Sequence, residues 1–203
     1  MKPDALVTRN QDDVLLVSQP SCWINDVQQL DGTFKVKIEF NNRKTWLQIR
    51  QQFGDEFTFY PLGDNGVMAK AGLPVQRPED FQYNWTQINP VTGQKQTERK
   101  GAGDCDCLIV NNRWLLLEFK TNASSSAPEQ IENNTAKAIA QLAKTLTAFR
   151  ELLPSADFTA ICIIVTPKSY PRFNSGKMPR SIKFKSKYRA ELKIIRTDET
   201  YSL

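Results

Sequence analysis

Histidine is absent from all 203 residues of the chain. That absence excludes Ser-His-Asp and Cys-His triads and the usual zinc hydrolase sites, and leaves chemistry built on Asp, Glu and Lys untouched. Cysteine is scarce: Cys22, Cys105, Cys107 and Cys162 are the whole set. Three of them lie in apolar strand patterns, where a free thiol behaves as a small hydrophobe. A zinc site would need more ligands than the Cys105-Asp-Cys107 pair supplies. Apolar runs long enough to span a bilayer are also missing, and Met1-Lys2-Pro3-Asp4 has no signal-peptide pattern. The expectation is a cytoplasmic protein with no membrane role. Internal repeats are absent, and low complexity is confined to Ser124-Ser125-Ser126.

A chain of this length can build one substantial core. The reading is a single domain, 1–203, in three stretches: strands, a short helix and a hairpin over 1–97, a central core over 98–166, and a basic C-terminal loop and strands over 167–203. In the first stretch, 14–17 and 34–40 read as strands, and 45–53 reads as a short helix with Trp46, Ile49 and Phe53 on one side. Residues 81–88 and 94–100 flank the turn Asn89-Pro-Val-Thr-Gly93 and read as a hairpin. Gly101-Ala-Gly103 permits a close backbone approach, or serves equally as a bend.

The most informative segment runs from Asp104 to Lys120. Cys107-Leu-Ile-Val110 and Trp114-Leu-Leu-Leu-Glu-Phe119 are apolar and β-compatible, and Asn111-Asn112 between them is turn chemistry. Asp106, Glu118 and Lys120 interrupt that apolar pattern. A carboxylate withdrawn from water costs several kcal/mol unless it is paired or holds a cation, so such residues are site candidates. Strand alternation puts Asp104, Asp106, Leu108 and Val110 on one face and Trp114, Leu116, Glu118 and Lys120 on one face of the next strand. Cys105 and Cys107 are then on the face opposite Asp106. A two-residue loop pairs Val110 with Arg113 and throws Asp106 and Glu118 to opposite sides. A three-residue loop, Asn111-Asn112-Arg113, pairs Val110 with Trp114, so that Asp106 faces Glu118 and Asp104 faces Lys120. A slip of one residue therefore decides whether a site exists.

After Lys120, Ser126-Ala-Pro-Glu129 has the form of a capping box. A helix over 128–153 follows, with Ile131, Thr135, Ala138, Ile139, Leu142, Leu146, Phe149 and Leu153 as its apolar stripe. Residues 158–165 form an almost unbroken apolar run, as in a strand buried on both faces.

An Asp at the head of a strand, a hairpin, Glu-x-Lys at the end of the next strand, then a helix and another strand: this order resembles the core of the PD-(D/E)xK nuclease superfamily. The resemblance covers about residues 98–166, with Cys105 where many members have Pro. It implies an α/β fold of restriction-endonuclease-like type, a mixed central sheet flanked by helices, here with an N-terminal β-rich elaboration. It implies hydrolysis of phosphodiester bonds, in DNA rather than RNA. Asp106 and Glu118, with the Phe119 backbone carbonyl, would hold Mg2+ or Mn2+, hard ions that prefer oxygen donors. Lys120 would hold the attacking water or neutralise the scissile phosphate. A helix Gln commonly faces the site in one branch of the superfamily, which points to Gln141; the Tyr expected four residues later is Thr145. A further acid often comes from the first core helix, for which Glu56 and Glu79 are candidates. The bland alternatives are an ion pair of Lys120 with Asp104 or Asp106 at a sheet edge, and Gln141, Lys137 and Lys144 as a solvated helix flank.

Charge is concentrated late in the chain. Residues 1–100 hold 12 basic and 12 acidic residues, whereas 101–203 hold 15 and 10. Between Lys168 and Arg196 there are ten basic residues, Lys168, Arg172, Lys177, Arg180, Lys183, Lys185, Lys187, Arg189, Lys193 and Arg196, against Glu191 alone. Tyr170, Phe173, Phe184 and Tyr188 are interleaved. Basic residues with aromatics suit phosphate contacts and base stacking, and the first eight of the ten are the candidate nucleic-acid contacts. The alternative is a solvated loop and an edge strand guarded by Lys. Anionic lipid fits less well, because no amphipathic helix is expected there. The overall expectation is a Mg2+- or Mn2+-dependent nuclease acting alone, as a homodimer or with a partner protein. Its rivals are a non-catalytic nucleic-acid-binding subunit on the same scaffold and a protein-interaction module with a basic surface.

Overall fold

The computed structural model describes residues 14–62, 74, 76–123, 125, 127–154, 159–171 and 179–203. In chain order its strands are β1 (Leu15–Val17), β2 (Ser21–Gln28), β3 (Phe34–Glu39), β4 (Leu47–Arg50), β5 (Phe57–Pro61), β6 (Gln82–Ile88), β7 (Lys95–Gly101), β8 (Cys107–Val110), β9 (Trp114–Phe119), β10 (Ala160–Thr166), β11 (Glu191–Arg196) and β12 (Thr200–Ser202). Two α-helices are present among the described residues, α1 (Pro128–Leu152) and α2 (Pro179–Tyr188). The architecture is mixed α/β. A six-stranded sheet has the order β1-β5-β8-β9-β10-β11, a four-stranded sheet the order β12-β4-β2-β3, and β6-β7 form a separate hairpin. In the larger sheet β9, β10 and β11 run parallel, and β1, β5, β8 and β9 pair antiparallel.

The larger sheet is buried on both faces, which explains why its strands read as continuous apolar runs. Leu108, Leu116, Cys162 and Ile164 pack against Ala138, Leu142, Leu146 and Phe149 of α1. Cys107, Leu115, Leu117, Ile163 and Val165 pack on the other side against Ile24, Leu47, Ile49 and Tyr201 of the four-stranded sheet. The N-terminal stretch is therefore divided: β2, β3 and β4 build most of the second layer while β1 and β5 extend the central sheet, and the two helices among the described residues lie on one face of that sheet where helices were expected to flank it. The residues expected to form a helix over 45–53 instead hold β4. Leu47 and Ile49 are buried and Arg50 is exposed, a period of two, and Phe53 is 96 % exposed.

The long helix matches its expected stripe: Thr135, Ala138, Leu142, Leu146 and Phe149 are buried. Ser126, the expected cap, lies outside the described residues; the N-cap is Ala127, with no side-chain cap hydrogen bond, and Pro128 opens the first turn. The hairpin over β6 and β7 also matches. Asn89 Oδ1 accepts from the N–H groups of Val91 and Thr92 at 2.9 and 3.0 Å, and Gly93 turns at φ +69°. Gly101 is the close approach: a Cβ there would meet the Pro78 Cβ at 2.7 Å. The basic C-terminal stretch was expected to hold only loop and strands, yet it contains α2, whose buried Ser181 and Phe184 and half-buried Tyr188 recur at helical spacing. The premise that no amphipathic helix accompanies the charges is thereby overturned. No helix among the described residues is long and apolar enough to cross a membrane.

Candidate active site

The β8–β9 hairpin uses the three-residue loop. Val110 pairs with Trp114, Leu108 with Leu116 and Cys107 with Leu117. Asn111 closes the turn, accepting the Arg113 N–H at Oδ1, 2.9 Å, while its own N–H donates to the Arg113 carbonyl at 3.1 Å. At Asp106 the chain bends just ahead of β8, so strict alternation stops there. Cys105 consequently packs on the helix side of the sheet and Cys107 on the opposite side, rather than both opposing Asp106. Asp106 stays anchored: its N–H donates to the Leu117 carbonyl at 3.1 Å, and its carbonyl accepts from Leu62 at 2.8 Å.

Asp106, Glu118, Phe119, Lys120 and Gln141 all line one groove of about 970 Å³. Asp106 is 9 % exposed and Glu118 1 %. Asp106 Oδ2 accepts the Phe119 N–H at 2.5 Å, and the Lys120 ammonium is ion-paired with Glu118 Oε1. The Lys120 pair is therefore with Glu118, where the sheet-edge alternative had it with Asp104 or Asp106. Burial and then the neighbouring Glu118 push the Asp106 carboxyl well above the usual carboxylate range, against the opposing pull of the Phe119 N–H and Lys120. Two carboxylates side by side in a dry place are disfavoured as a pair of anions, so the donor set fits a hard divalent cation. No cluster of three or more His, Cys, Asp or Glu able to hold a metal occurs among the described residues.

The helix α1 supports this floor through three residues of one face. Gln141 Oε1 accepts from Lys120 Nζ at 3.1 Å, and its Nε2 donates to the Asp104 carbonyl at 2.9 Å. Lys144 Nζ meets Asp104 Oδ1 at 2.7 Å, and Thr145 Oγ1 accepts the Cys105 N–H at 2.9 Å. Positions i, i+3 and i+4 lie on one helix face, so one face fixes both residues preceding Asp106. Asp104 thus pairs with Lys144, where strand alternation had it facing Lys120. Gln141 and Lys144 are 1 % and 6 % exposed, so neither is a solvated flank; Lys137 is half-buried and lines the groove.

The second sheet adds residues the sequence reading passed over. Asp26 of β2 lines the groove and contributes to the upward push on Asp106. Thr121 Oγ1 donates to Asn25 Oδ1 at 2.7 Å, tying the segment after Lys120 to β2. Cys22, Ile24 and Asp26 occupy one face of β2, and an acid ending an apolar alternation is the same signal that Asp106 and Glu118 gave. Glu56 and Glu79 are exposed and do not line the groove.

Among the described residues, none of the eight basic side chains of 168–196 lines this groove. Arg172 and Lys177 lie outside the described residues, as does Phe173. Lys168, Lys183, Lys185, Lys187 and Arg189 are exposed. Arg180 is ion-paired with Glu132, Lys193 lies 3.6 Å from Glu191, and Arg196 donates to both oxygens of Asp198 at 2.8 and 2.5 Å. Tyr170 and Phe184, expected to stack on bases, are buried at 1 % and 3 % exposure. The four cysteines are free and buried; burial pushes the Cys22 thiol up to about 12 and the other three upward, which makes them poor nucleophiles. Comparison of the chain with protein-family models, curated proteins and solved structures found no match.

Proposed function

We propose that this chain is a metal-dependent nuclease of PD-(D/E)xK type, with a restriction-endonuclease-like core, that hydrolyses phosphodiester bonds, in DNA rather than RNA. The observation that carries the reading is the register of β8 against β9, Val110 on Trp114, with Asp106 and Glu118 delivered to one groove and Lys120 on Glu118. A one-residue slip would have parted the two carboxylates.

Asp106 and Glu118 would hold Mg2+ or Mn2+, with the Phe119 carbonyl as a further oxygen donor. The ion, when bound, supplies Lewis acidity toward a phosphoryl oxygen and lowers the pKa of water. The chain's own residues do the rest. Phe119 N–H and the bend at Asp106 fix one carboxylate. Lys120, held by Glu118 and Gln141, presents a cation where negative charge grows on the phosphate. Burial of the floor strengthens each of these interactions.

The test is incubation of purified protein with plasmid, linear and single-stranded DNA and with RNA, in Mg2+, Mn2+ or EDTA. Cleavage that EDTA stops and that Glu118→Ala removes supports the reading. Cleavage by the Glu118→Ala protein at the unaltered rate, or none by the original protein on any of these substrates, sinks it. The rival binding-subunit reading predicts retention of nucleic acid by both proteins with no cleavage by either.

A further inference from the structure

The groove has two unlike walls above its floor. One comes from the β2–β3 hairpin and carries Asp26 and Asp31 with Lys35. The other comes from α1 and β6 and carries Lys137 and Trp85. Trp85 is a half-buried indole on a hairpin fixed to the helix: Asn133 accepts the Thr86 N–H at Oδ1, 2.9 Å, and donates from Nδ2 to the Thr86 carbonyl at 2.6 Å. One Asn side chain thus satisfies both backbone groups of the residue beside Trp85, as a neighbouring strand would. Lys100, ion-paired with Glu98, sits 5.2 Å from the Trp85 ring centroid and buttresses it.

We propose that this groove takes a single-stranded polynucleotide, with one base stacked on Trp85 and the adjoining backbone led past Lys137 to Lys120. The placement of the phosphate at Lys120 rests on the nuclease reading; the stacking on Trp85 does not. Three observations carry the inference. A large aromatic surface stands on the wall of a groove whose lining mixes polar groups such as Asn134 and Lys137 with apolar ones such as Phe34 and Leu62, and stacking on such a surface is the usual way a protein holds unpaired bases. The floor residues Asp106 and Glu118 are almost fully buried, and a stiff duplex with its bases turned inward cannot offer a phosphate to them and a base face to Trp85 at once. A volume of about 970 Å³ accommodates a few nucleotides of one strand. The β2–β3 wall adds direction: with Asp26 and Asp31 against Lys35 it carries a net negative charge, which disfavours phosphate there relative to the wall of Lys137.

The experiment is fluorescence anisotropy in EDTA, where no cleavage occurs, with labelled oligodeoxythymidylate, labelled oligouridylate, and the deoxy strand annealed to oligodeoxyadenylate. The original protein should bind at least one single strand more tightly than the duplex, and the two single strands distinguish DNA from RNA as the source. Trp85→Ala should weaken that binding by about tenfold or more, and Trp85→Phe should keep most of it. Lys137→Gln, which leaves the hairpin intact, should lower the salt slope of log K by about 0.7, the share of one single-strand phosphate. Unaltered single-strand affinity in Trp85→Ala overturns the proposal, and so does a duplex bound as tightly as the single strand. Because binding is read without chemistry, a protein that binds single strands through Trp85 but never cleaves removes only the nuclease reading. Duplex cleavage without single-strand binding removes only this one.

Discussion

Two regions of this molecule concentrate charge, and they differ in kind. On the groove floor, Glu118 lies within β9, Asp106 immediately precedes β8 and Lys120 immediately follows β9, and the three end within one site, nearly shut off from water. In the C-terminal segment, charge is far denser along the chain but spreads over the exposed surface of α2 and into ion pairs such as Arg180 with Glu132 of α1 and Arg196 with nearby Asp198. A charge inside an apolar strand has its place set by register, because alternation and pairing leave it one face and one neighbour. A charge in a basic run has no such constraint. Density of charge therefore says less about where chemistry happens than the cost of putting a charge where it sits.

The largest effects should come from the floor. Asp106→Ala and Glu118→Ala should each abolish cleavage, and Lys120→Ala should lower kcat by about 10²–10³-fold, the scale for removing one preorganised charge-stabilising group. The three should act as one unit, so a double variant loses little more than the worse single one. Single-turnover rates at saturating substrate check this, with circular dichroism to show an intact fold. Additive losses would mean the residues are not a common site and would erase the contrast with the basic segment.

How much of this was legible in the sequence follows the same division. The hairpin, the long helix and the double-sided burial of β10 were written in the apolar pattern, and the α1 stripe falls as spaced, but the choice of the three-residue loop that pairs Val110 with Trp114 was not, because the alternation fits either loop length. The support of Asp106 by Lys144 and Thr145 was not, because helix α1 and the Asp104-Cys105 segment lie about 40 residues apart and only packing joins them. The 45–53 segment misled because Trp46, Ile49 and Phe53 mimic helical spacing, while Leu47 and Ile49 are the pair that packs against the central sheet. In α2 the lysines drew notice away from Ser181, Phe184 and Tyr188, whose spacing marks a helix.

Supporting interactions should matter less than the floor and more than the surface. Thr145→Val keeps the shape of the side chain but strands the Cys105 N–H in a buried place, which should cost about 1–3 kcal/mol of stability. Lys144→Met should act on the same segment through Asp104, so a double variant should show coupling. Urea unfolding measures the first loss and the double-mutant cycle the second. A loss in Thr145→Val below a few tenths of a kcal/mol would remove α1 from the positioning of Asp106.

The pH dependence of the metal-free protein gives a subtler contrast. In the unfolded chain Asp106 ionises in the usual carboxylate range, near 4, and in the fold burial and Glu118 raise it well above that. Between the two values the folded state binds the extra proton, so stability falls as pH rises through that window. In EDTA, then, thermal stability should drop as pH rises above about 4, and Asp106→Asn should flatten the drop by removing the titrating group. A variant Asp106→Asn with the same slope as the original would place the titration elsewhere.

The smallest effect on chemistry, and the sharpest check on the basic segment, comes from neutralising Lys183, Lys185 and Lys187 together. All three are exposed on α2 and none lines the groove, so turnover at saturating substrate should stay within about twofold, the range expected of surface sites away from the chemistry. Affinity is the readout that can move. If α2 follows a phosphate backbone beyond the groove, every phosphate that no longer meets a lysine keeps its counterion. The slope of log K against log salt should then fall by about 0.9 per phosphate on duplex DNA or 0.7 on a single strand. Binding measured on the Glu118→Ala background over a salt series isolates this from cleavage. An unchanged slope would assign these lysines to a solvated helix face, and the nucleic-acid path would then be confined to the groove walls at Lys137 and Trp85. A fall in slope accompanied by a large loss of turnover would instead tie α2 to the floor and dissolve the distinction between the two regions.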